Sequence, residues 1–254
     1  MSKLTPEDVK SLFNQPDCVA HYASAAVNLG LWQSEEIVFQ RVFELDETIL
    51  EIGSGAGRIA LGLWELGYRK IIGTDFSRAM VSAARQLSRK LEYAVPFRVA
   101  DATKLPFEPD MFDGVIFGFN GLMQIPSRER RRAALSEMGR VVRPGGKMVI
   151  TTHDRAVGGT PGFWQEEESR WRNGQHDERL LEFGDLLSDS PHGELFIHIP
   201  TRDEIEADLA ATGWRRREDN MRSNIADESP EVQASSVDCR FWVAEKPVLG
   251  SPWG

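Results

Sequence analysis

The chain has 254 residues, 41% of them hydrophobic and 27% charged, with a formal net charge of −9 and a pI near 5.2. That is ordinary globular composition, with enough chain to bury a core in one large α/β domain or two small ones. No apolar run approaches the roughly eighteen residues of a membrane span, and the acidic balance disfavours a long nucleic acid as partner. The first residues, Met1 to Asp8, carry acids instead of an apolar segment and do not read as a secretion signal. Cys18 and Cys239 are the only cysteines and match no metal-ligand or redox spacing, so a reducing, cytoplasmic setting is expected.

Three weak helices are expected first: one with Thr5 as N-cap and Pro6 at the first helical position, one around Cys18 to Val27, and one capped by Ser34 and running to Phe43. From Thr48 the pattern changes to short apolar runs alternating with helical periods, the sign of βαβ units and a parallel sheet. Thr48 to Ile52 reads as a buried strand, Arg58 to Leu66 as a helix closed by Gly67, and Lys70 to Asp75 as a second strand. Ser77 caps a helix reaching about Leu91, and Phe97 to Ala100 and Phe112 to Phe119 are the third and fourth strands. Ser127 opens a helix to about Val142, after which Pro144-Gly145-Gly146 turns into a fifth strand, Lys147 to Thr152.

Regularity fails from His153 to about Ile199, a stretch long enough to be functional or to hold small elements of its own. Thr201 to Glu204 form a capping box ahead of a helix to about Thr212. Two strands follow, Trp214 to about Ser223 and Val237 to Glu245, joined by an acidic loop and so expected to pair antiparallel. One domain over 1–254 is the simplest account: a helical cap over 1–44, a core over 45–153, an insertion over 154–199, and a helix with hairpin over 200–246.

Chemistry begins at the turn Glu51-Ile52-Gly53-Ser54-Gly55-Ala56-Gly57. Gly53 and Gly55 permit backbone angles closed to other residues and let a ligand lie against the chain. The helix that follows aims its free N–H groups and positive end at the same spot, which suits a phosphate or the carboxylate of an amino-acid moiety. A dinucleotide-binding turn, Gly-x-Gly-x-x-Gly, would put its third glycine where this chain has Arg58.

The run Glu-x-Gly-x-Gly-x-Gly instead resembles motif I of the class I S-adenosylmethionine-dependent methyltransferases. By that resemblance Glu51 helps hold the methionine part of the cofactor, with Gly53, Ser54 and Gly55 against it. Asp75, about twenty residues on, stands where a carboxylate accepts from both ribose hydroxyls. The family's matching third-strand acid is Asp101, which would hold the adenine amino group, with the Ala102 N–H meeting the ring. Phe76, Met80 and Phe117 complete the implied apolar contacts, and Tyr22 is placed in a lid with His21 and Trp32. Leu105-Pro106-Phe107 before Phe112-Asp113-Gly114-Val115-Ile116, and Arg140 to Lys147, resemble the family's later motifs. The likeness is close over 45–153 and loose over 200–246. It implies a Rossmann-like, seven-stranded, mostly parallel α/β sheet with helices on both faces, an antiparallel C-terminal strand, an N-terminal helical lid and an insertion after the fifth strand.

Methyl transfer from a sulfonium is an in-line displacement on an activated donor, so positioning can supply much of the acceleration and no catalytic side chain is obligatory. A base matters only where the acceptor must lose a proton. Ligands of open α/β sheets sit beyond the carboxyl ends of the strands. There His153 is the candidate base or orienting group, unless it only bonds its own loop, and Asn120 either points its amide at the acceptor or caps a turn. The segment Phe163 to Leu187 is expected to shape the acceptor pocket, with its aromatics as a wall and Glu166 to Glu168 as a cation lure or a solvated face. His192, Glu194 and His198 match no metal spacing, so no metal is expected. Arg128 with Arg130 to Arg132, and Arg215 to Arg217, read as solvated faces.

The expected function is therefore methyl transfer from S-adenosylmethionine, giving S-adenosylhomocysteine, to a small-molecule N, O or C acceptor, without nucleic acid or membrane as partner. A tRNA or protein methyltransferase and a non-catalytic cofactor binder remain alternatives, while Arg58 and Asp101 argue against a nicotinamide oxidoreductase.

Overall fold

The computed structural model describes residues 2–157 and 162–248. Three helices lead: α1 (Pro6–Phe13), α2 (Pro16–Asn28) and α3 (Gln33–Val42). The alternating core follows as β1 (Ile49–Ile52), α4 (Arg58–Glu65), β2 (Ile71–Asp75), α5 (Arg78–Lys90), β3 (Phe97–Val99), β4 (Phe112–Phe117), α6 (Arg128–Val141) and β5 (Val142–Thr152). Beyond it lie α7 (Phe163–Arg172) and a hairpin, β6 (Asp185–Ser190) with β7 (Gly193–His198). Then come α8 (Arg202–Ala211), β8 (Arg215–Met221), the short α9 (Arg222–Ile225) and α10 (Pro230–Ser235), and β9 (Arg240–Glu245).

The seven-stranded sheet runs β3-β2-β1-β4-β5-β9-β8. Its first five strands are parallel, and β9 runs antiparallel to both β5 and β8. Every residue of β1 is buried, as a strand covered on both faces demands. Successive residues serve opposite faces: Ile49 joins the cluster with Phe39, Leu63 and Phe241, while Leu50 joins that with Leu135, Met138 and Trp242. The strand order reverses between β1 and β4, which opens a crevice at their carboxyl ends.

Three expectations need correction. Strand β5 starts at Val142, not after the glycine pair, and Pro144-Gly145-Gly146 is an irregularity within it. Phe112 opposes Val142 and the next pair is Gly114 with Lys147. Gly146 has no room for a side chain, since a Cβ there would lie 2.5 Å from the Asp113 carbonyl oxygen. Ser34 does not cap α3, because the helix begins one residue earlier with Trp32 as N-cap. Glu35 accepts the Trp32 N–H at 3.0 Å, and Glu228, far along the chain, accepts those of Gln33 and Ser34 at 3.1 and 2.9 Å. The acidic stretch before β9 is not a plain loop but holds α9 and α10, whereas the stretch after β5 does carry small elements of its own, a helix and a hairpin.

The insertion also packs elsewhere than expected. Phe196, Leu187 and Leu195 of the hairpin join Val9 and Phe13 of α1 in one apolar cluster. The Leu4 N–H reaches the Arg179 carbonyl at 2.9 Å, and Lys3 Nζ that of Leu180 at 2.6 Å. Its aromatics pack on one another: Trp171 stacks on His176 at 3.8 Å, and Trp164 and Trp171 both meet Phe183 edge-on.

A buried charge cluster pins the insertion to the core. His198 bonds Asp185 through Nδ1 and Glu204 through Nε2, each at 2.8 Å. Arg131 pairs with Glu182 at 2.9 Å and lies 3.5 Å from Glu204, and Arg155 lies 3.6 Å from Glu204. Glu182, Asp185 and His198 stand close enough to hold a metal ion, but three carboxylates facing two guanidiniums and an imidazolium already balance, and a cation would unbalance them. Burial pushes the His198 pKa down, but the bonds to Asp185 and Glu204 outweigh it and leave it raised. A raised histidine stabilises fully below its unfolded value, about 6.5, and the gain is lost as pH rises through the folded value. Melting temperature is thus expected to fall as pH rises above about 6.5, and His198→Gln should flatten that dependence. A variant that keeps the same slope would contradict this account.

Candidate functional site

The glycine turn leaves β1 and feeds α4, and its path is fixed by its own amides. Ser54 N–H reaches the Thr74 carbonyl at 2.8 Å, and Gly57 N–H that of Ser54 at 2.8 Å. Gly53 must be glycine twice over: its φ is +64°, and a Cβ would lie 2.6 Å from the Phe117 ring. Phe117 is therefore wedged beneath the turn, at the end of β4.

Two chambers open on this turn. The first is a cavity of about 110 Å³ lined by Gly53, Gly55, Asp75, Phe76, Met80, Asp101, Ala102 and Phe117, with Pro6, Val9 and Phe13 of α1 over it. The second, about 390 Å³, is lined by Glu51, Ser54, Arg58 and Ile59, by His21, Tyr22, Ser24, Ala25 and Asn28 of α2 with Leu29 and Trp32, and by Ala234 and Ser235 of α10. Gly53, Gly55, Gly118, Phe119 and Tyr22 belong to both. Every residue that the sequence nominated for the cofactor thus lies on one cleft.

Asp75 is 6% exposed and accepts the Gly55 N–H at 2.9 Å and the Ser77 N–H at 2.8 Å. Ser77 Oγ separately caps α5 by accepting the Met80 N–H at 3.1 Å, so Asp75 is not needed as that helix's cap. Burial outweighs these amides and pushes its pKa up to about 6. Keeping it charged at neutral pH costs about 3 kcal/mol, which makes Asp75 a candidate ligand-binding carboxylate. Glu51 is raised further, to about 8, chiefly by burial and against the pull of Arg58. Its Oε2 accepts the Ala60 N–H at 2.9 Å, in the first turn of α4. Asp101 differs: it is exposed, and its Oδ1 already accepts from the Thr103 N–H and Oγ at 2.8 and 2.7 Å.

Neither expected catalytic side chain lines a chamber. His153 bonds the Asp238 carbonyl through Nδ1 at 3.1 Å and meets Asn120 Nδ2 with Nε2 at 3.2 Å. Burial lowers its pKa. Asn120 is buried. None of the described residues of the insertion lines either chamber. Its assigned place is taken by α2 and α10, and by α1, which the insertion's hairpin supports. The wall from α10 was hidden in a polar stretch with no periodic signal, whereas Trp32 and Tyr22 could be suspected as large aromatics in weakly amphipathic helices.

Arg58 stands at the centre. Its Nη2 bonds Glu35 Oε1 at 2.6 Å, and its Nη1 bonds Glu35 Oε2 and, at 2.9 Å, the Gly30 carbonyl. Its guanidinium lies 4.8 Å from the Trp32 ring and 5.4 Å from that of Phe119. The pair is buried, with side-chain exposures of 11% and 1%. Removing Glu35 would strand a charge, so Glu35→Ala is expected to destabilise by about 3 kcal/mol while Glu35→Ala with Arg58→Met recovers most of the loss. Urea titration measures both, and equal losses would refute the pairing as a closed unit.

Comparison with known proteins agrees with this arrangement. Residues 49–146 match the family described as a methyltransferase domain. A demethylmenaquinone methyltransferase of Thermus thermophilus is 36% identical over 185 residues, covering 70% of this chain and 79% of that protein. One from Oceanobacillus iheyensis is 36% identical over 121 residues, or 46% of this chain, and the match spans only about half (49%) of that relative's length. Among solved structures, an S-adenosylmethionine-dependent methyltransferase from Methanosarcina mazei has a TM-score of 0.67 at 20% identity, covering 86% of this chain and 99% of that one. At that identity the likeness speaks for the fold.

Proposed function

Because the chain belongs to the class I S-adenosylmethionine-dependent methyltransferases, we propose that it transfers the methyl group of S-adenosylmethionine to a small, flat, largely apolar acceptor held in the second chamber. The observation that carries this reading is the shared junction: Gly53, Gly55, Gly118, Phe119 and Tyr22 border both chambers. A donor with its adenosine in the first chamber and its amino-acid end reaching past this junction to Glu51 and Ser54, at the floor of the second, would present its methyl group here to an acceptor held in the rest of the second chamber. When bound, the cofactor supplies a methyl group already activated by its sulfonium.

The chain's own residues supply place and dryness. Asp75 offers the ribose a carboxylate already ionised at neutral pH. Glu51, protonated at neutral pH, sits at the glycine turn, where the amino-acid end belongs. Phe76 and Met80 line the adenine side, and α1 shields it. In the second chamber Trp32 and Tyr22 both stand edge-on to Phe119, with centroids 5.4 and 6.2 Å away, walls that suit a planar ring system. The wall's one guanidinium is neutralised by Glu35, which favours an uncharged acceptor over a protonated amine. The names of the two relatives make their acceptor demethylmenaquinone, and a ring system of that shape agrees with these walls. With both His153 nitrogens engaged, rate enhancement rests on positioning and water exclusion.

The arginine clusters support a small acceptor. Arg128 and Arg132 both pair with Asp208, Arg216 with Glu206 and Asp219, and Arg217 with Glu245, so little uncompensated positive charge is left there for a polyanion.

Methyl-labelled S-adenosylmethionine incubated with a metabolite library should yield a labelled small product. Cofactor binding by calorimetry with no labelled product from any acceptor would identify a binder instead of an enzyme. Asp75→Ala should weaken S-adenosylhomocysteine binding at least about tenfold, and unchanged affinity would refute the ribose placement. Near pH 7, docking the ligand's ammonium at Glu51 is expected to drive its proton off, because a nearby cation favours the ionised form. Calorimetry in buffers of different ionisation heat should detect that release, and Glu51→Gln should abolish it.

A further inference from the structure

We propose that His153 is a positioning residue that acts through Asn120 to hold the Phe119 ring at the junction of the two chambers. The inference rests on the reading of that junction as the meeting point of donor and acceptor.

Phe119 and Asn120 leave β4 with φ of +47° and +60°. Two successive non-glycine residues in the left-handed region are strained, and such backbone persists only where its surroundings fix it. Three contacts do so. The Asn120 N–H bonds Thr151 Oγ1 at 2.9 Å, Asn120 Nδ2 bonds His153 Nε2 at 3.2 Å, and the His153 N–H bonds Met123 Sδ at 3.0 Å. The Asp238 carbonyl at 3.1 Å can only accept, so Nδ1 carries the proton and Nε2 is left to accept from the amide. Asp238, Arg222, Asn120 and Met123 are the charged and polar groups around the ring, and burial keeps it neutral. The result aims Phe119 between Trp32 and Tyr22 and ties the ends of β4 and β5 to the segment that precedes β9.

The test uses the full chain and S-adenosylhomocysteine affinity by calorimetry. His153→Ala and Phe119→Leu should each weaken binding about tenfold. The double variant should be no weaker than the worse single, because both act on one ring. His153→Gln, whose amide can both accept from Asn120 and donate to Asp238, should retain binding within about threefold of the unaltered protein. Asn120→Gly keeps the fold even if His153→Ala does not, since glycine accepts the positive φ. It should melt no lower than the unaltered protein yet lose the same affinity. Additive losses in the double variant, or full affinity in Asn120→Gly, would overturn the proposal. If the unaltered protein bound no S-adenosylhomocysteine, the reading of the cleft itself would fail, and the role of His153 with it.

Discussion

The buried pairing of Arg58 with Glu35 is the constraint on which the rest of the site depends. Arg58 opens the helix that follows the glycine turn, and Glu35 lies in the first turn of α3. Their two-pronged bond therefore joins the cofactor turn to the helical cap. The same carboxylate accepts the Trp32 N–H, so it also starts the helix. Trp32 and Phe119 then lie against the guanidinium. One ion pair thus sets the floor of the second chamber, one of its walls and the angle of the cap. An ion pair this buried gains little net stability over apolar packing. What it supplies is a fixed geometry at a place where apolar side chains would slide.

Around that pair the protein carries ionisable groups that folding alone would not select. Asp75 and Glu51 are both buried, and burial raises both. Asp75 accepts from the Gly55 and Ser77 amides and Glu51 from that of Ala60, which leaves each carboxylate with acceptor capacity to spare. The His198 cluster is the opposite case, buried but balanced among its own charges. Its role is to hold the insertion, whose hairpin in turn packs on α1. Support therefore passes from the insertion to α1 and from α1 to the first chamber, with none of the insertion's described residues lining the cleft.

The alternating core was legible because its signals are local. A run such as Ile49 to Ile52 is apolar except for Glu51 because both sheet faces are covered, and Ser77 and Thr201 cap the helices that their neighbours begin. The cofactor side was legible for the same reason, since the glycine turn, Asp75 and Asp101 each sit at a strand end set by local pattern. Ser34 misled because a serine before an apolar period is a good local cap. A carboxylate from Glu228, brought back by the sheet, took the position instead. His153 stands after β5 as expected, and only the folded chain shows the partners of both its ring nitrogens.

By itself, then, the sequence determined the parallel part of the sheet and the acids at its strand ends, since each follows from residues a few positions apart, and the resemblance of those motifs to a family pointed to the donor. Tertiary structure alone decided which elements close the second chamber. Helix α2, Trp32 and α10 come from opposite ends of the chain, and they meet because Glu228 and Glu35 satisfy the amides that begin α3. Periodicity and spacing carry no information about a hydrogen bond between residues nearly two hundred positions apart.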